Sequence, residues 1–446
     1  MKYYLIGIKG AGLSALALIL NDLGYEVSGY DDEKSHQFTE DKLIERGIKI
    51  YTEANEAMDN DTIVIRSTAV KDDHEEIIKA KNLNLKIYEY YEMLGRLTEM
   101  FETITVAGCH GKTTTSAMLA HILKDKGYNY LIGDGSGCAS KENKGLIIEA
   151  CEYKRHFLKY KPTYAVITNI ELDHVDYFKD IADVVDAYGT YANNASKMVI
   201  ACGDDSYTHS LEVTRPIFFY GINEDNDILA KNIEYTENGT SFDVFAEDNY
   251  YGHFDLPVYG KHMLLNALAA ISVCYYQRLE AKEVANLLKT FEGAKRRFNE
   301  IVIDDTVLVD DYAHHPTEIK SVINACKQKY PNKKIVAVFE PHTFSRTAKF
   351  ALEIAKILNT CDVCYVKDIY SAREKQEDFK DVDSNLIIDN LENGFHIDDN
   401  EANILYQYKG SVILFMSPKQ MSKLEMDLKE YLENNQNITE ELRHEW

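Results

Sequence analysis

The stretch Ile104 to Met118, ITVAGCHGKTTTSAM, constrains the chain more than any other. An apolar run breaks at Gly108 and resumes as a Thr/Ser/Ala/Met segment, the pattern of a strand, a tight glycine turn and a helix. The first turn of such a helix leaves backbone N–H groups unpaired, and with the helix dipole they form a seat for phosphate. Lys112 adds a cation for the outer phosphates, and the Thr113 hydroxyl can enter the shell of the magnesium ion that accompanies a nucleotide. A full G-x-x-x-x-G-K-[ST] signature would need glycine where Val106 stands. Only the shorter G-x-x-G-K-T core of Gly108, Gly111, Lys112 and Thr113 is present.

With 446 residues, the chain has room for two or three domains, and 45% hydrophobic residues provide their cores. A formal charge of -24 argues against nucleic acid or an anionic membrane as a partner, so the few basic clusters gain meaning. Nothing reads as a signal peptide or membrane span, and the eight cysteines are taken as scattered reduced thiols of a cytoplasmic protein. Cys109 lies inside the phosphate turn, where a small side chain is tolerated.

The chain opens as strand (Tyr3 to Ile6), glycine turn (Gly7, Gly10, Gly12), helix (Leu13 to Leu23) and strand (Glu26 to Tyr30), a βαβ unit. Its G-x-x-G-x-G spacing departs from the G-x-G-x-x-G dinucleotide fingerprint, which weakens a dehydrogenase reading. Asp31 follows the second strand, where a carboxylate can bind a ribose hydroxyl or simply face solvent. Arg66-Ser67-Thr68-Ala69 ends an apolar strand with groups suited to a diphosphate. Alternation of strand and helix continues to Arg96–Glu102, where a second α/β unit begins with the phosphate turn.

Two later buried-strand runs, Leu146 to Glu149 and Tyr164 to Thr168, end in polar groups, as sites in open parallel sheets do. Glu149 and His174 could there face the phosphates and share magnesium, or serve respectively as a helix cap and a loop histidine. Ser241 to Ala246 and His253 to Leu256 read as hairpin strands. His262 and Asn266 are one helical turn apart, placed either to meet a purine or to cap their helix. Gly293 to Phe298, GAKRRF, concentrates cations in an acidic chain and fits either phosphate or solvent. Asp310-Asp311-Tyr312-Ala313-His314-His315-Pro316-Thr317-Glu318 and Glu340-Pro341-His342-Thr343-Phe344-Ser345-Arg346 follow further strands, and Pro316-Thr317-Glu318 is also a helix start.

In this order the phosphate turn, Glu149, Thr168-Asn169-Ile170 to Asp173-His174, His262 to Asn266, Arg296-Arg297-Phe298 and Asp311 to His314 resemble the Mur ligases, the ATP-dependent amide-forming enzymes of peptidoglycan precursor synthesis. GIKGAGLS, DDYAHHPTEI, EPHTFSRT and DIYSAREK look like the branch that joins L-alanine to UDP-N-acetylmuramate. The resemblance implies an α/β protein of three domains: a Rossmann-like UDP-sugar domain (1–98), a central P-loop ATPase domain (99–297) and a Rossmann-like C-terminal domain that receives the amino acid (298–446). It implies ATP and Mg²⁺, with no nucleic acid or membrane partner, in a monomer or homodimer.

By the same resemblance Gly108, Cys109, His110, Gly111, Lys112, Thr113 and Thr114 cradle the phosphates, and Thr113, Glu149 and His174 hold magnesium. His262 and Asn266 meet adenine, Asp311 the ribose, and Arg296 or Arg297 a phosphate. Gly10, Ala11, Gly12, Asp31, Ser67, Thr68 and Glu152 serve the sugar nucleotide. Tyr312, His314, His342 and Arg346 surround the incoming amine and the acyl phosphate. Lys112, His174, His314 and Arg346 are the residues expected to act in catalysis. Thr343 stands where many relatives have arginine, leaving Arg346 as the cation of that segment. Related readings are a ligase that attaches a recycled tripeptide to the same sugar nucleotide, and a non-catalytic nucleotide sensor.

Overall fold

Three stretches of alternating strand and helix build three sheets in this computed structural model, which describes all residues except 54–56, 295, 373, 420, 445 and 446, and no side chain at 422 or 435–444. The first sheet contains β1 (Lys2–Ile6), β2 (Glu26–Tyr30), β3 (Lys49–Tyr51), β4 (Thr62–Arg66) and β5 (Lys86–Glu89), all parallel in the order β3-β2-β1-β4-β5. The direction of winding reverses between β1 and β4, so their carboxyl ends border a crevice of the kind that takes ligands in open α/β sheets.

The central sheet has ten strands: β6 (Glu102–Ala107), β7 (Tyr128–Leu131), β8 (Gly137–Cys138), β9 (Gly145–Glu149), β10 (Tyr164–Ile167), β11 (Met198–Cys202), β12 (Ile217–Gly221), β13 (Ile228–Thr236), β14 (Gly239–Ala246) and β15 (Asn249–Leu256). β6 lies between β9 and β10, parallel to both, with Val106 beside Glu149 and Ala107 beside Ile167. Gly108, Glu149 and Thr168 therefore leave the sheet together. The β13–β15 meander closes one edge, and it contains the two hairpin strands expected from the alternation at Ser241 to Ala246 and His253 to Leu256.

The third sheet comprises β16 (Asn299–Ile303), β17 (Thr306–Asp311), β18 (Ile335–Phe339), β19 (Val363–Val366), β20 (Gly394–His396) and β21 (Val412–Met416), ordered β16-β17-β21-β18-β19-β20. Only β16 pairs antiparallel within it. β10 and β18, YAVI and IVAVF, are buried along their whole length, as parallel strands covered on both faces must be.

The first two sheets share a core. Leu5, Leu16 and Leu94 belong to the same apolar cluster as Leu131, Phe157 and Tyr188. Their backbones also touch: a Cβ on Gly95 would lie 2.7 Å from the carbonyl of Lys159, and one on Gly137 would lie 2.4 Å from that of Ala15. The third sheet instead packs on clusters of its own, with Val309, Ile319 and Phe339 on one face and Leu308, Val338 and Phe415 on the other. It is joined through a bend where Gly293, Arg296 and Phe298 have φ of 100°, 55° and 55°.

The reading of the cysteines as scattered, with no C-x-x-C spacing, fails at one pair. Cys361 and Cys364 stand at C-x-x-C spacing, both as free thiols. The neighbouring Cys361 thiol, then burial, push the Cys364 pKa far up.

Candidate active site

The phosphate turn takes its shape from two glycines with positive φ, Gly108 at 142° and Gly111 at 80°, the latter capping the helix Lys112–Leu123. Neither tolerates a side chain: a Cβ on Gly108 would lie 1.9 Å from the Thr168 hydroxyl, and one on Gly111 would lie 2.3 Å from Asn266 Oδ1. Asn169 Oδ1 accepts from the backbone N–H of His110 at 2.9 Å, and its amide donates to the carbonyl of His110 at 2.9 Å. Cys109 is buried, its thiol donating to the carbonyl of Glu171 at 3.1 Å, and burial raises its pKa well above the usual thiol value. That thiol is a strut of the turn.

Lys112 folds back on the turn it serves. Its Nζ donates to the carbonyls of Gly108 and Cys109 and pairs with Glu152 at 3.1 Å. Burial opposes the ammonium charge, but the Glu152 carboxylate more than offsets this and raises the lysine pKa, and Lys112 in turn lowers that of buried Glu152. Glu152 also faces His174 Nε2 at 3.6 Å. Thr113 donates to Glu149 at 3.1 Å, and the backbone N–H of Gly133 donates to Glu149 Oε2 at 2.8 Å. Of the expected magnesium set, Thr113 and Glu149 meet directly, whereas His174 turns to Glu152.

A cavity of about 590 Å³ opens beside the turn, lined by Gly111, Thr114, His262, Asn266, Arg297 and Asp311 among others. Two helices contribute, Lys112–Leu123 through Thr114 and Lys261–Tyr276 through His262 and Asn266. Burial and then Arg297 lower the His262 pKa to about 4, so its ring is neutral and suited to stack or hydrogen-bond. Asp311 accepts from the N–H groups of Phe298 and Ala313, each at 2.8 Å, yet burial raises its pKa to about 6. The two arginines separate. Arg297 lines the cavity, while Arg296 turns away, donating to the carbonyls of Ser417 at 2.7 Å and Pro418 at 2.9 Å and pairing with Asp310. Positive φ at both 296 and 298 twists the segment and sends adjacent side chains apart.

Arg346 carries the C-terminal domain onto the central one. Its guanidinium donates to Asp173 Oδ1 at 2.6 Å and to His342 Nδ1 at 2.6 Å, with the arginine and aspartate side chains 7% and 9% exposed. Burial works against the Asp173 charge, but Arg346 prevails and holds the carboxyl well below its usual range. Thr343, at φ 64°, caps the helix Phe344–Leu358 by accepting from the N–H of Arg346, which explains a short hydroxyl there. His342 stands edge-on to His314 at 5.3 Å, and His314 stands edge-on to Tyr312 at 5.5 Å, so these expected residues form one cluster.

Residues that spacing did not single out complete the interface. Glu318 faces His110 at 3.3 Å, Arg297 at 3.4 Å and His314 at 3.1 Å. Thr317 donates to Glu171 at 2.7 Å, and Glu171 faces His110 at 3.4 Å. Burial would lower the His110 pKa, yet Glu318 and Glu171 together raise it to about 10; neighbouring His315 falls to about 4 through burial and then His110. The signal for Glu318 was its helix-start position, which is also real: it accepts from the backbone N–H of His315 at 3.3 Å.

In the first domain a second cavity, of about 570 Å³, is lined by Gly10, Asp31 and Ser67. Asp31 accepts from the N–H of Lys9 at 2.8 Å. Ala11, Gly12 and Thr68 adjoin it without lining it.

Family models match three consecutive parts of the chain: the Mur ligase family catalytic domain at residues 2–102, the Mur ligase middle domain at 106–274 and the Mur ligase glutamate ligase domain at 296–417. The chain belongs to the Mur ligase family. It is therefore an ATP-dependent, amide-bond-forming ligase of peptidoglycan precursor synthesis with the three-domain α/β architecture of that family. Among solved structures it is similar to the UDP-N-acetylmuramate-alanine ligase MurC of Thermotoga maritima, at 25% identity and TM-score 0.81 over 97% of this chain and 100% of that one. A murein peptide ligase of Psychrobacter arcticus 273-4 shares the fold at 23% identity and TM-score 0.73, covering 97% and 98%. MurF of Thermotoga maritima, in complex with ADP, does so at 18% and 0.64, covering 92% and 95%. Among the described residues no helix is long and apolar enough to cross a membrane.

Proposed function

We propose that this Mur ligase joins L-alanine to the lactyl carboxylate of UDP-N-acetylmuramate through an acyl phosphate, with domain limits at 98/99 and 297/298. The carrying observation is a line of polar contacts from Lys112 to Glu152, on to His174 and its chain neighbour Asp173, and from Asp173 to Arg346 and His342. It joins the phosphate turn to the C-terminal domain, the two places where a carboxylate is activated and an amine delivered. The 25%-identical MurC of Thermotoga maritima supports alanine as the amine.

A carboxylate resists attack because its charge repels the amine and oxide is a poor leaving group. Transfer of the γ-phosphoryl group creates an acyl phosphate, and attack by the amine then expels phosphate through a tetrahedral intermediate. The first step brings two anions together. Lys112 leaves the Gly108 and Cys109 carbonyls for the outer phosphates, and Glu152 keeps it charged and positioned. Arg346, with His314 and His342, sits where the second anion and the amine meet, and Asp173 orients the guanidinium. His262 and Asn266 seat the base, Asp311 accepts from the ribose and Arg297 faces phosphate. Gly10, Asp31 and Ser67 line the seat of the sugar nucleotide.

The residues present fit magnesium: Thr113 and Glu149 already bring hydroxyl and carboxylate oxygens together, the donors a hard cation takes, and His174 has a buried Nδ1 without a hydrogen-bond partner. When bound, the ion screens the charge between nucleotide and carboxylate.

The test is ATP-dependent phosphate release with UDP-N-acetylmuramate and, separately, L-alanine, glycine, L-serine and the tripeptide. Release with L-alanine is expected. Release with the tripeptide alone, or ATP binding without release, overturns the proposal.

A further inference from the structure

His315 is only 4% exposed; it is the N-cap of the helix Pro316–Lys329 with its side chain toward the Glu318 backbone, yet neither ring nitrogen completes a hydrogen bond. A buried imidazole left in that state is costly, and the alanine-joining reaction gives it no task. Its Nδ1 lies 3.5 Å from Glu171 Oε2, and the same oxygen lies 3.4 Å from His110 Nε2. Donor atoms of the three residues all fall within 4.8 Å of one another. A tetrahedral zinc ion with bonds of about 2.0–2.1 Å has edges of about 3.3–3.4 Å between its donors. Two edges of such a tetrahedron are already in place.

The surroundings are those of a ligand set. His110 turns its other ring nitrogen, Nδ1, toward Glu318 Oε1 at 3.3 Å, an ion-pair approach without a formed hydrogen bond, on the side where a carboxylate orients a metal-bound imidazole. Thr317 donates to Glu171 Oε2 itself at 2.7 Å, which fixes that oxygen and leaves its second lone pair for an ion. The two imidazoles and one carboxylate suit a borderline transition metal better than magnesium, which takes oxygen donors.

We propose that His110, Glu171 and His315 bind one divalent transition-metal ion of the zinc class, separate from the magnesium site at Thr113 and Glu149. The ion replaces the proton between His110 Nε2 and Glu171 Oε2, which leaves to solvent, and a water completes the fourth position. Because His110 and Glu171 belong to the central domain and His315 to the C-terminal one, the bound ion staples the two together beside the phosphate turn.

The probe is Co²⁺, titrated into the full-length, nucleotide-free chain while visible absorption is followed, with Zn²⁺ then added in competition. The native protein is expected to take up one Co²⁺ with a low-coordinate d–d band that Zn²⁺ abolishes. Glu171→Gln and His315→Gln should each weaken uptake at least tenfold, checked on protein with native circular dichroism, so that one variant serves if the other does not fold. Glu149→Gln, Cys364→Ser and His396→Ala should keep the band, since they alter the magnesium shell, the C-x-x-C pair and the exposed Asp368/His396/Asp398 cluster. Absence of stoichiometric uptake by the native chain, or equal uptake by both folded ligand variants, overturns the site.

Discussion

Removing the guanidinium of Arg346 strands a carboxylate between two domains. In Arg346→Met, Asp173, 8% exposed in the native protein, loses the cation that lies 2.6 Å from its Oδ1. Breaking one half of a buried pair costs about 3–5 kcal/mol, more than about two orders of magnitude in the equilibrium between docked and undocked domains. Replacing both partners, Asp173→Asn with Arg346→Met, leaves neither of them charged and should restore most of that loss. Small-angle scattering reads the docking through the radius of gyration, and calorimetry reads the stability. Phosphate release should stay low in both variants, because the cation is gone from both. The pH dependence has a definite sign. Arg346 depresses the Asp173 pKa, so in the native chain the contact is at full strength above the ordinary Asp value of about 3.9 and is lost only as pH falls through the lower folded value. In Arg346→Met the stranded acid prefers its proton, and docking should improve as pH falls. A single variant as compact as the native protein at neutral pH, or a double variant no better than the single, would refute the reasoning.

Lys112→Ala should lower kcat by about 10²–10³-fold while ATP still binds, measured by phosphate release and calorimetric titration. For Glu149→Gln, the Mg²⁺ concentration giving half-maximal turnover should rise at least about tenfold. Gly111→Ala forces a positive φ and a 2.3 Å approach to Asn266, so ATP affinity should fall by more than tenfold in the same titration. Asp311, with a pKa of about 6, ionises as pH rises through that value and then accepts more strongly from a ribose hydroxyl. ATP affinity should therefore rise between pH 5 and 7 in the native chain, and Asp311→Asn should lack that step.

What could be read from the sequence was local. The phosphate turn was legible because glycine permits the backbone of Gly108 and Gly111, and Lys112 and Thr113 follow at fixed offsets on the same helix. The hairpin strands and the buried runs of β9 and β10 were legible through period and length. The partners that join the domains were not. Asp173 and Arg346 are separated by 173 positions, and Glu171 and Thr317 by 146. No spacing rule relates them: Arg346 was expected as a cation but nothing named Asp173 as its partner, and Glu171 and Thr317 alone read as loop or cap residues. Arg296 and Arg297 fail for a subtler reason: they are adjacent and chemically identical, and only the twisted backbone decides that the first ties down the Ser417–Pro418 carbonyls and the second faces the cavity.

The core shared by the first two sheets has a mechanical consequence. With backbone on backbone at Gly95 and Gly137 and one apolar cluster crossing from Leu16 to Tyr188, the sugar-nucleotide seat and the phosphate turn belong to a single anvil. The C-terminal domain, with its own cores and left-handed backbone at Gly293, Arg296 and Phe298 where it joins, is the hammer. Such a machine has one joint, not two. On the proposed roles, the distance from nucleotide to carboxylate is set when the chain folds, and each cycle need adjust only the approach of the amine.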